Sequence, residues 1–241
     1  MIIPPTGGML TQRSPAILNV VPDRPAELAA SSRPEDKPRL RGVLHSGAAL
    51  AAVPATTVLV SSARVGTATT LALIYGVALV LVLATSGLFH TPTWSRAAWH
   101  RLQRLDHSMI YVLIAGSYAP FAYHLESAPR TVVLSISIGG GLLGWLKVHT
   151  WPRAPRLATS ALYLLIGWCI APYFPDLYAK IGLGTMSLLL VGGLFYTGGA
   201  LIYWLRLPNP WPRTFGYHEV NHLLGIVGAT CHYLAIWSLL T

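Results

Sequence analysis

Charge is what this sequence has least of. Only 10% of its 241 residues are charged, while 53% are hydrophobic. A soluble domain carries about 25% charged residues, so the deficit argues against an ordinary soluble protein and for a membrane one. Cysteine is nearly absent as well. Cys169 and Cys231 both lie in apolar runs, where they read as small core fillers and not as a disulfide framework or a zinc knuckle. Acids are few, 8 against 17 Lys and Arg. The cations are scattered through short loops, with no basic stripe interleaved with aromatics, so nucleic acid is not expected as a partner. No basic start leading into an apolar core of about 7–15 residues opens the chain, so no signal peptide is expected. No internal repeat and no strand-turn alternation appear, which leaves out solenoids and barrels.

What the sequence does have is apolar length. Crossing a bilayer takes about 20 apolar residues, and from residue 43 onward such stretches follow one another, at 43–62, 67–90, 106–124, 131–148, 157–175, 182–204 and 216–240. Proline-rich breaks separate them: "HTPTW" at 90–94, "SAPR" at 127–130, "TWPRAP" at 150–155, "YFPD" at 173–176 and "LPNPWPR" at 207–213. The reading is an all-α integral membrane protein, a bundle of seven transmembrane helices over residues 37–241. Residues 1–36, rich in proline and carrying charges of both signs, are expected to be a disordered tail.

Direction follows from Lys and Arg, which concentrate in cytoplasmic loops. The segment before the first span holds Arg13, Arg24, Arg33, Lys37, Arg39 and Arg41. Arg96, Arg101, Arg104, Lys147, Arg153, Arg156, Arg206 and Arg213 fall on the same side, and Arg64, Arg130 and Lys180 on the other. Fourteen of the 17 cations therefore share the side of the N-terminus. The expectation is a cytoplasmic N-terminus and an outer C-terminus.

The acids can be followed one by one. Among those near the spans, Asp106 and Glu219 lie at the cytoplasmic boundary. A charge in hydrocarbon costs about 3 kcal/mol or more, so such a residue is a functional candidate. For Asp106, which opens the third span after "RLQRL", the alternative is a helix N-cap. Histidines fall at the same depth. His90 ends the second span, and His218 and His222 begin the seventh. Residues four apart on a helix differ by about 40° around it and about 6 Å along it, so His218 and His222 can reach one ion. His90 would complete the three protein ligands of an open zinc site. Ser86, one turn below His90, is placed to orient a ligand or a water, unless its hydroxyl bonds its own backbone. The alternative for the histidines is hydrogen bonding between helices. His232 is about 21 Å along the helix from His218 and reads as packing. His45, His100, His107, His124 and His149 are set aside as loop, span-end or misdirected residues.

"GYHEVNHLLG" at 216–225 also contains the His-Glu-x-x-His pattern of zinc proteases, with Glu219 as its base. One extended version of that pattern needs a further His, and position 228 is Gly. Another needs a downstream Glu, and no acid follows Glu219. The protease pattern is incomplete.

Several stretches together carry a resemblance: "KPRLRG" (37–42), "SGLFH" (86–90), "RLDHSMIYVLIAGSYAP" (104–120), "YTGGALIYWLRLPNPWPRTFGYHEVNH" (196–222) and "HYLAIW" (232–237). The chain resembles the hemolysin III family, the bacterial branch of the progestin and adipoQ receptor family. The resemblance implies seven helices with the N-terminus inside and a zinc ion near the cytoplasmic face. It implies His90, from the Ser-x-x-x-His motif, with His218 and His222 as metal ligands, and Asp106 holding the metal's water. Asn221 stands where an apolar or aromatic residue is expected.

The animal relatives resemble ceramidases, which implies catalytic roles for Asp106 and Ser86 and a ceramide-like or other acyl amide of the bacterial plasma membrane as substrate. Two other readings stand beside the hydrolase: a metal-stabilised sensor or homeostasis protein without turnover, and a cytolysin. The glycine-rich "SIGGGLLG" (137–144) and "VGGLF" (191–195) read as close helix packing or as a lipid slot.

Overall fold

Backbone crossing a bilayer has no water to bond and must satisfy itself, which a helix does within a single segment. The computed structural model describes residues 37–241, and they are helical almost throughout. The expected tail, residues 1–36, lies outside the described residues. The helices are α1 (Val43–Ser62), α2 (Thr67–His90), α3 (Arg96–Ala122), α4 (Ser127–Thr150), α5 (Arg156–Gly167), α6 (Phe174–Leu205) and α7 (Tyr217–Leu240), with a 3-10 turn at Ala171–Tyr173 between α5 and α6. Among the described residues the β structure is one isolated bridge, Trp211 to Phe215. Five runs are long and apolar enough to cross a membrane: α1, α2, α4, the continuous stretch from α5 through α6, and α7.

Several boundaries differ from expectation, among them the end of α5, which falls at Gly167 and not at 175; three at proline or capping sites have a physical reason. The third helix starts ten residues early, at Arg96, because Ser95 caps it by accepting from the Ala98 amide at 3.4 Å. Its first turns hold Arg96, Arg101 and Arg104, and Asp106 and His107 follow; α3 is not among the five apolar runs. Asp106 is therefore an interior residue of α3 and not its cap. In "SAPR", Pro129 sits in the first turn of α4, where its missing amide costs nothing. "YFPD" likewise opens a helix, since Pro175 lies in the first turn of α6. The break falls at Gly182, where the expected span 182–204 begins and whose φ of 72° interrupts α6.

The most buried helix is α2, with α1 and α3 packed along it and α7 reaching it and α1. Helices α6 and α7 run together closely. A Cβ on Gly228 would stand 3.0 Å from the Gly192 carbonyl oxygen, so the small residues of "VGGLF" serve helix packing. Tyrosines tie elements together through their hydroxyls: the buried Tyr75 donates to Ala229 O at 3.1 Å and the half-buried Tyr233 to Ala55 O at 2.8 Å.

The two ends of the bundle are closed by different contacts. At one end Arg39 N and Leu40 N donate to Arg213 O and Thr214 O, both at 3.1 Å, joining the segment before α1 to the loop before α7. At the other, Arg64 N donates to Leu240 O at 2.9 Å, and Lys180 Nζ reaches Glu126 Oε1 at 3.4 Å. The histidines lie at the first of these ends.

Candidate metal centre

Two helix ends build the three-histidine cluster. His90 is the last residue of α2, while His218 and His222 occupy the first two turns of α7. The spacing of four puts the latter two on one face, with ring centroids 4.5 Å apart. The His90 ring lies 4.6 Å from that of His218 and 5.1 Å from that of His222. One ring nitrogen from each of the three lies within 4.8 Å of the others, so the cluster could hold a metal ion.

The donors present fit such an ion. His90 Nε2 and His218 Nε2 face each other at 3.2 Å; two nitrogens on one tetrahedral zinc stand about 3.3 Å apart, given zinc–nitrogen bonds of about 2.0–2.1 Å. His222 Nε2 is buried and has no hydrogen-bond partner, although such groups are normally paired. A cation would complete it.

Asp106 approaches from α3, its Oδ2 3.7 Å from His90 Nε2. Its side chain is buried, and so is that of Ser86 beside it. The Ser86 hydroxyl has no hydrogen bond of normal geometry, so it is not spent on its own backbone. All five residues border a cavity of about 260 Å³. From the histidines it runs inward past Leu113, Tyr196 and Phe121 to His232, about 21 Å along α7. His232 is occupied there, its Nε2 at 3.2 Å from Leu189 O, in keeping with a packing role.

The model of a family described as haemolysin-III related matches residues 35–233. The chain is 32% identical over 169 residues to the hemolysin-3 homolog of Bacillus subtilis (strain 168), covering 68% of this chain and 74% of that one. It is 29% identical over 203 residues to hemolysin-3 of Bacillus cereus, covering 80% and 87%. It is 28% identical over 176 residues to an adiponectin receptor protein of Drosophila melanogaster, covering 65% of this chain and 39% of that one.

The chain belongs to the haemolysin-III related family.

With five apolar runs, this family member is an integral membrane protein. Two of its residues stand differently from what sequence indicated. Glu219, the protease pattern's base, is engaged otherwise. It is 1% exposed, its Oε1 accepts from Arg41 Nε, and its Oε2 accepts from the Gly216 amide at 2.7 Å, capping α7. His45, set aside as a span-end residue, is at the site, with its Nε2 3.0 Å from His222 Nδ1. The available signal was its place in the first turn of α1, at the same end as the other three. Asn221 turns toward α6, where a Cβ on Gly199 would meet its Oδ1 at 3.0 Å.

Residues 37–42 lie over this end. Lys37 Nζ donates to Thr91 O at 2.9 Å and Pro92 O at 3.3 Å, just past His90. Partial burial and the charge of Arg41 lower the Lys37 pKa. Gly42 has φ 82°, and a Cβ there would fall 2.8 Å from the His90 carbonyl carbon. Glycine is needed at that position both for its backbone angle and for the approach.

Proposed function

We propose that this protein is a zinc-dependent amide hydrolase acting on a ceramide-like or other acyl-amide lipid in a bacterial plasma membrane. In this reading it is a seven-span bundle with the N-terminus and the histidine site at the cytoplasmic side. The observation that carries it is the meeting of three imidazoles with a buried carboxylate at the end of an apolar cavity. A structural zinc site is closed by four protein ligands; three leave a position for reactants.

His90, His218 and His222 would hold the zinc, which when bound supplies Lewis acidity and makes water a better nucleophile at neutral pH. The chain's own residues do the rest. The cavity takes the acyl chain and brings the amide carbonyl to the histidine end. Asp106 accepts a proton from the attacking water as its oxygen bonds to the carbonyl carbon. The Ser86 hydroxyl, which is not bonded to its own backbone and lies beside Asp106, donates to the developing oxyanion. Asp106 then delivers its proton to the amide nitrogen as the carbon–nitrogen bond breaks, leaving a fatty acid and a free amine.

The names of the relatives suggest two other activities, lysis and reception. The buried, uncapped Asp106 favours hydrolysis over a site that only stabilises. The test is fatty-acid release from a panel of ceramide-like amides by the purified, zinc-loaded protein beside Asp106→Asn. Release that depends on Asp106 supports the hydrolase. No release by the wild type across the panel sinks it.

A further inference from the structure

His45 stands edge-on to His222, with ring centroids 3.9 Å apart. Its Nε2 and His222 Nδ1, 3.0 Å apart, share one proton, so one nitrogen donates and the other accepts. The opposite nitrogen of His222, Nε2, is buried without a hydrogen-bond partner inside the three-histidine cluster, and the opposite nitrogen of His45, Nδ1, is buried without one as well. A neutral imidazole carries one ring proton. For Nε2 to offer a lone pair to a cation, that proton must sit on Nδ1, and His45 Nε2 is the acceptor in reach. Metal-binding histidines almost always donate their second N–H to an outer partner, which sets tautomer, ring orientation and basicity. Carboxylates and backbone carbonyls usually fill that place.

We propose that His45 is a positioning residue of the three-histidine site: it accepts the Nδ1–H of His222 and holds that ring with its Nε2 lone pair toward His90 and His218. The proposal rests on the metal reading above.

The seat of His45 is fixed against a second ligand. Ser46, the next residue, has its Oγ 3.1 Å from Thr91 Oγ1. A Cβ on Gly87 would stand 2.7 Å from that Ser46 Oγ, and one on Gly42 would press on Thr91 and His90. The first turn of α1 is thus pressed against the last turn of α2, which carries His90. Helix α1 supplies no ligand, yet it orients a ligand of α7 from a seat beside the ligand of α2.

The test uses the full-length protein in lipid nanodiscs with Co²⁺ as the probe, its affinity read by competition with a chromophoric chelator and its geometry by the d–d spectrum. His45→Phe keeps a ring without an acceptor, and His45→Gln restores an acceptor oxygen. The expected result is a loss of about 10–100-fold in Co²⁺ affinity for His45→Phe, the usual cost of removing an outer partner, with a shifted d–d band. His45→Gln should recover part of both. His45→Phe binding Co²⁺ as tightly as wild type with an unchanged band overturns the proposal. So does a His45→Gln that melts normally yet binds no better than His45→Phe. A readout without any substitution is the ¹⁵N spectrum of the wild-type His222 ring, where an unprotonated Nδ1 in the loaded protein overturns the proposal. Failure of the metal reading looks different: wild type and His90→Ala would then both ignore Co²⁺, before any His45 variant is compared.

Discussion

Arg41 and Glu219 are 178 residues apart in sequence and bonded side chain to side chain. Glu219 is almost fully enclosed, while Arg41 keeps some contact with solvent. The same carboxylate caps α7 through the Gly216 amide. One acid therefore fixes the start of the helix that carries His218 and His222 and ties it to the segment leading into α1.

Removing the cation should be costly. Arg41→Gln leaves Glu219 enclosed without a counter-charge, and breaking a buried pair in this way costs about 3–5 kcal/mol. The partial exposure of Arg41 brings the expectation down to about 2 kcal/mol. Thermal melting in detergent should fall by several degrees. A double-mutant cycle with Glu219→Gln should show a coupling of about 1 kcal/mol or more; additive losses would mean that the pair contributes nothing.

Asp106→Asn should separate metal binding from turnover. The carboxamide keeps the shape but cannot take a proton, and general acid–base assistance is worth about 10²–10⁴-fold. Zinc content by mass spectrometry should match wild type while fatty-acid release falls within that range. Equal loss of zinc would make Asp106 part of the ligand set.

Gly225 tests the cavity. It lines the cavity one turn beyond His222, and a Cβ there meets nothing within 4 Å. Gly225→Leu should therefore fit the fold, with a gain in helix propensity of up to about 1 kcal/mol, while filling space meant for an acyl chain. The expected outcome is an unchanged melting point and zinc content with lower turnover of long-chain amides than of short ones. An unchanged chain-length profile would place the lipid elsewhere.

Gly42→Ala should damage the site from outside it. A left-handed backbone angle costs a residue with a Cβ about 1 kcal/mol or more, and the new methyl would press on Thr91 and His90. Lower stability together with weaker zinc retention, read by chelator competition, is expected. Full retention would show that this contact does not set the position of His90.

Much of this was legible in the sequence because hydropathy and helix spacing are local properties. The apolar runs gave α1, α2 and α7 nearly to the residue, and the spacing of four brought His218 and His222 together. Proline was the misleading signal. Pro129 and Pro175 read as breaks but sit in first turns, where a helix tolerates them; the interruption of α6 falls at Gly182, where the expected span 182–204 begins. Arg96, Arg101 and Arg104 hid the start of α3, since a helix that begins outside the apolar layer lacks its signature. The contacts of His45 with His222 and of Arg41 with Glu219 each join residues more than 170 positions apart. For His45 only its depth, shared with the other three histidines, was a signal; for the Arg41–Glu219 bond no pattern on a single helix points across that distance.

His90 and His218 are separated by 128 positions, with four helices of chain between them. Membrane helices leave the ribosome in order, so until α7 is made the nascent protein holds His45 and His90 but neither His218 nor His222. Under the metal reading proposed above, the three-histidine cluster would be completed only once α7 is in place, so loading of the ion would follow the last helix and a chain halted before it would lack two of the three ligands.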